Sequence, residues 1–92
     1  MARLFFDPEP LSELSRLEAD ERLYGRLLDR IDVRLGWLEE DPGHRRCRGV
    51  RFQGGLWYLH VPADEGDWAI LWEEHPTESG AVAIRYLGPD FK

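Results

Sequence analysis

The sequence predicts an α+β domain in which an N-terminal strand and a helical hairpin precede a mainly antiparallel sheet, with the helices packed on one face. Three observations carry this expectation. Apolar residues recur at helical spacing through the first half, and short β-rich runs alternate with turn residues through the second. The 42% hydrophobic content of 92 residues suits one core, hence a single domain over residues 1–92.

Arg3 to Phe6 is short and apolar and reads as a strand. Asp7-Pro8-Glu9-Pro10 follows as a helix start, with Asp7 a candidate N-cap and prolines suited to the first turn. Leu11, Leu14 and Leu17 give the first helix one apolar stripe, ending near Ala19. Asp20 caps a second, longer helix on which Leu23, Leu27, Ile31, Leu35 and Leu38 form the apolar row. Asp41-Pro42-Gly43 ends it.

Beyond that point the runs are Arg48 to Gln53, Leu56 to Val61, Trp68 to Glu73 and Ala81 to Leu87, with Gly54-Gly55 as a hairpin turn. Period-two alternation sorts their side chains by face. Trp57, Leu59 and Val61, then Trp68, Ile70 and Trp72, then Val82, Ile84 and Tyr86 are expected to face the helices. The opposite face then gathers Tyr58, His60, Glu73 and Arg85, joined by Arg51 if Val50 and Phe52 point inward.

Eighteen acids against twelve basic residues give a net charge of −6, which repels polyanions at long range. The distribution is uneven. Asp7 to Asp41 hold eleven acids and five arginines, whereas His44 to Gln53 hold four arginines and no acid. Arg45, Arg46, Arg48 and Arg51 are therefore the best local anion-binding candidates, suited to phosphate or to a partner's carboxylates. Arg22, Arg26, Arg30 and Arg34 read as a solvated flank of the second helix. Val33 and Trp37 project away from its leucine row, either as an exposed patch for a partner or as packing against the first helix.

The lone Cys47 excludes an internal disulfide and a cysteine-based zinc cluster, and it reads as a small hydrophobe. His44 and His75 lack metal-ligand spacing, so no cofactor and no metal are expected. No stretch has the length and apolarity of a membrane span or a leader, so the expected location is cytoplasmic, with no membrane partner.

The opening Arg3 to Leu14, the helix end at Glu40-Asp41-Pro42, the run Gly55-Leu56-Trp57-Tyr58-Leu59-His60 and the run Trp68-Ala69-Ile70-Leu71-Trp72 together resemble RelE/ParE toxins, including their HigB-like branch. The resemblance spans nearly the whole chain. It implies the toxin component of a type II toxin–antitoxin pair, with an antitoxin-like protein as partner. For many members it also implies a ribosome-dependent messenger-RNA endonuclease, and for others an inhibitor directed at gyrase. The nucleases carry lysines on the strand matched by Tyr58 and His60, and an arginine where this chain has Ala69.

His60, Glu73, Arg85 and Tyr58 are accordingly the candidate catalytic set. Imidazole or carboxylate takes a proton from a 2′-hydroxyl, and arginine stabilises the charged phosphorane. That chemistry requires the four to converge. A noncatalytic interaction module on the same fold is the alternative, expected if they are dispersed or already tied into ion pairs.

Overall fold

The computed structural model describes residues 1–91. In chain order it has β1 (Arg3–Phe6), α1 (Pro8–Glu18), α2 (Glu21–Glu40), β2 (Val50–Arg51), β3 (Trp57–Val61), β4 (Trp68–Glu74) and β5 (Ala81–Pro89). The fold is α+β, one mixed five-stranded sheet in the order β1-β5-β4-β3-β2. β1 lies parallel to β5, and the remaining pairs are antiparallel.

The helices cover one face. Leu17 from α1 and Leu28, Ile31, Leu35 and Leu38 from α2 join Leu59, Val61, Trp68, Ile70, Trp72, Val82 and Ile84 in the main core. Cys47 is fully buried in that core, as expected of a small hydrophobe. Asp20 caps α2 by accepting the Leu23 N–H at 3.3 Å. Asp7 stands at the N-cap of α1 but makes no cap bond, because its carboxylate turns to Arg85 instead.

Three details depart from the expected pattern. Leu23 is 63% exposed, and Tyr24, Leu27 and Leu28 take its place against the core. Each four-residue step overshoots a full helical turn by about 40°, so Leu23 has drifted roughly 120° from Leu35. The first β-rich run shrinks to Val50–Arg51, since Cys47 is drawn inward and Gln53–Gly55 forms a 3-10 turn. Positive φ at Gly54 and Gly55, 77° and 81°, closes that hairpin.

The third departure is a bulge in β5. Leu71 pairs with Tyr86 while Trp72 pairs with Ile84, which leaves Arg85 as the extra residue. One inserted residue exchanges the faces downstream, so Leu87 enters the helix-side core and Tyr86 turns to the other face. There the Tyr86 ring lies over Gly88, and its hydroxyl donates to the Pro89 carbonyl at 2.7 Å. A Cβ at Gly88 would stand 2.9 Å from Tyr86 Cζ. Gly88→Ala is therefore expected to swing the ring aside and to cost about 1 kcal/mol in denaturant melts. An unchanged Tyr86 environment in the variant would contradict this placement.

The outer edge of β3 is closed by side chains. Arg34 Nε donates to the His60 carbonyl at 3.1 Å, and Arg30 donates to the Pro62 carbonyl at 3.2 Å. Arg26 and Arg30 also reach Asp64. Of the arginine row read as a solvated flank, Arg30 and Arg34 thus tie α2 to the end of β3 and protect a sheet edge, while Arg22 and Arg26 are exposed.

Candidate functional site

The antiparallel count decides the fate of the candidate catalytic set. His60 pairs with Ala69 beside the β3–β4 turn, whereas Glu73 lies four residues further along β4. At about 3.3 Å per residue that separation is roughly 13 Å. The four side chains share a face but form two groups.

In the first group the Tyr58 hydroxyl is bonded to the Asp90 carboxylate, and His60 Nε2 lies 2.7 Å from Asp67 Oδ2. Asp67 is a hub, since its other oxygen accepts the Ala63 N–H at 3.1 Å and its carbonyl accepts the Asp90 N–H at 2.8 Å. The bond to His60, then the one from Ala63, holds the Asp67 carboxyl below the ordinary aspartate value. Burial first, and the bond to Asp90 second, push the Tyr58 phenol up to about 12. Phe91 completes the cluster, with its ring 4.9 Å from Phe52, 6.1 Å from Tyr58 and 5.7 Å from Tyr86.

In the second group Arg85 Nε donates to Glu73 at 2.9 Å and its terminal nitrogen to Asp7 at 3.0 Å. These bonds, that to Glu73 foremost, favour the charged guanidinium. Arg85 thereby joins β5 to β4 and to the start of α1.

The electrostatics of two cavities, one at the first group and one away from both groups, oppose a phosphodiester. A cavity of about 790 Å³ is lined by Tyr58 and His60 but also by Glu65, Asp67 and Asp90. A second, of about 810 Å³ between the first half of α2 and the β3–β4 loop, is lined by six acids and two arginines. An anion entering either one meets like charge.

The arginine-rich stretch has the opposite character. Two guanidinium groups, Arg34 and Arg46, each lie 4.8 Å from the Trp37 ring centroid. Arg51 lies 4.1 Å from that of Trp57. Arg48 is structural: it lies 5.5 Å and 5.6 Å from the Trp57 and Trp72 rings, donates to the Pro42 carbonyl at 2.9 Å and pairs with Glu74 at 2.5 Å. Arg46 reaches Glu40 at 3.8 Å. Arg45 and Arg51 are exposed and make no ion pair among the described residues. Cation–π contacts of this kind hold flexible arginines in place at a gain of about 0.5–1 kcal/mol each.

Sequence reasoning missed Asp67, Asp90, Asp7 and Phe91, the groups that occupy the catalytic candidates, and it missed Arg34 on Trp37. Only Arg34 carried a local signal, its three-residue spacing from Trp37 on a helix. Burial pushes the Cys47 thiol up despite its cationic neighbours, in keeping with its place in the core. His44 and His75 serve turns, their Nδ1 atoms accepting backbone N–H groups of Arg46 and of Thr77 and Glu78. Among the described residues no group of three or more metal-ligating side chains converges, and no helix is long and apolar enough to cross a membrane. No protein-family model, no curated protein and no solved structure matches the chain.

Proposed function

We propose that this chain is a RelE/ParE-like member of a toxin–antitoxin pair that acts by binding a protein partner, with the arginine-rich end as its contact surface and without nuclease chemistry. One observation carries the reading. Tyr58, His60 and Arg85 are each held by a carboxylate of their own chain and Glu73 by the Arg85 guanidinium, while Arg45 and Arg51 stand exposed without an ion pair among the described residues, Arg51 beside Trp57. The family part is supported by the layout of strand, helical hairpin and largely antiparallel sheet with the helices on one face.

An acidic segment of an antitoxin-like protein suits this surface, because complementary charge speeds encounter and fixes register. Arg45→Glu combined with Arg51→Glu is expected to weaken the complex with a partner co-purified from the native source by about tenfold, mostly at low salt. His60→Ala should leave that affinity unchanged. Equal affinities for the wild-type protein and the double variant across salt concentrations would sink the reading.

A second reading, the messenger-RNA endonuclease, is favoured by the pairing of His60 with Asp67 beside Tyr58 in one cavity. A histidine oriented by a carboxylate is a general-base arrangement. Glu65 and Asp90 in the same cavity weigh against it.

A further inference from the structure

The two edges of the sheet are finished differently. At one, β2 has only two residues, and the carbonyls of His60 and Pro62 accept Arg34 and Arg30. At the other, β1 pairs only with β5. The Asp7 N–H donates to the Ile84 carbonyl at 3.0 Å, so Phe5, two residues back on the same parallel ladder, also turns its backbone to β5. Leu4 and Phe6 therefore point their N–H and C=O groups outward, where nothing among the described residues takes them. The Ala2 N–H, bonded to the Glu39 carbonyl at 2.7 Å, marks where the open stretch begins. Charged residues, proline or a bulge often blunt such an edge, and Leu4-Phe5-Phe6 has none of these.

The segment Arg3-Leu4-Phe5-Phe6-Asp7 complements itself when reversed about Phe5. Antiparallel pairing with a second copy, on a twofold axis through Phe5, sets Leu4 opposite Phe6, Phe5 opposite Phe5 and Arg3 opposite Asp7. Leu4 and Phe6 exchange their outward backbone bonds and extend the helix-side apolar layer in which both already pack. Phe5 and Arg3 lie on the other face, where the Phe5 ring is 4.8 Å from that of His75 and the Arg3 guanidinium lies 5.1 Å from the Phe5 centroid. There Phe5 meets its twin in a close, non-hydrogen-bonded pair. The end charges are available: Arg3 is 71% exposed and reaches Glu78 at 3.4 Å, and Asp7 accepts Arg85 through Oδ1 alone. Asp7 is still extended before Pro8 begins α1. We propose that β1 is a homodimerisation edge, at which two copies join their sheets antiparallel about Phe5. The dimer goes beyond the interaction reading above and does not rest on it. β2, which carries Arg51, lies at the far edge of each sheet and stays open to a partner.

The test is sedimentation of the full chain from micromolar to millimolar concentration in ~0.15 M salt, where a Debye length of about 8 Å screens two copies of net charge −6 from each other. A monomer–dimer equilibrium is expected, with hydrogen exchange at the Leu4 and Phe6 amides slowing as the dimer fills. Arg3→Glu changes an exposed side chain and sets like charges opposite each other at both ends of the pairing, so it should raise the dissociation constant about tenfold. Phe5→Cys is expected to give a disulfide-linked dimer on mild oxidation, because the Cα atoms of such a pair lie about 4.5 Å apart, within disulfide reach. Gln53→Cys, exposed beside the far edge, should not, and Cys47 is buried. A chain that stays monomeric at millimolar concentration would overturn the proposal. So would a dimer that Arg3→Glu leaves equally strong, Leu4 and Phe6 amides that exchange alike in monomer and dimer, or cross-linking of Gln53→Cys as readily as Phe5→Cys.

Discussion

Trp72→Ala is expected to cost about 3–5 kcal/mol, the largest effect of any single substitution considered, because it empties the centre of the core. Trp72 is fully buried, stacked on Trp57 at 6.4 Å between ring centroids and lined by the Arg48 guanidinium. Its indole N–H has no acceptor among the described residues, so truncation forfeits no hydrogen bond and the cost is lost contact and cavity. Trp72→Phe should cost only about 1 kcal/mol, since a smaller void is partly offset by removal of an unpaired buried donor. Domains of this size have about 5–15 kcal/mol in total, so the alanine variant sits near the edge of folding. Trp57 is only partly buried, and its loss should be milder. A loss below about 1 kcal/mol for Trp72→Ala in urea melts would mean the helix-side face is misassigned.

Arg85→Ala is expected to destabilise the fold by about 2 kcal/mol. The guanidinium bridges Glu73 and Asp7, and removing it leaves two carboxylates near each other with neither partner. Hydrogen bonds to charged groups contribute about 1.5–3 kcal/mol each, and roughly one-third exposure of this side chain reduces that through solvent screening. The direction separates two roles. A group kept for chemistry alone is usually neutral or costly to stability, whereas a structural tie is lost as stability. Unchanged or raised stability in thermal melts of Arg85→Ala would speak for a catalytic role and against the assignment made here.

Much of the fold was legible because its periodicities are local. Ile31, Leu35 and Leu38 on α2, and the alternation through Trp57 to Val61 and Trp68 to Trp72, placed the right residues against each other. The alternation failed where a residue was inserted: nothing in Ala81 to Leu87 announces that Arg85 is unpaired, so Tyr86 and Leu87 were assigned to each other's faces. Faces were legible, but position along a strand needs register. Counting from the β3–β4 turn already separates His60 from Glu73, since the antiparallel hairpin sets Glu73 beyond the level of Trp57. The carboxylates on the catalytic candidates were not legible, because Asp90 and Asp7 lie far in sequence from Tyr58 and Arg85, and Asp67, though only seven residues from His60, sits in a connecting loop whose turn no periodicity fixes. The arginine-rich stretch was recognised from composition. Composition could not say that Arg48 is spent inside the fold while Arg45 and Arg51 are exposed.

The claim that binding, and not RNA cleavage, is the work of this chain meets its most direct test in regulated expression in a bacterial host, with growth and messenger-RNA integrity followed together. The account predicts intact messenger RNA whether or not growth slows, and no difference between the wild-type chain and a His60→Ala, Glu73→Gln variant. Messenger RNA cut on induction of the wild-type chain, and left whole on induction of that variant, would contradict it.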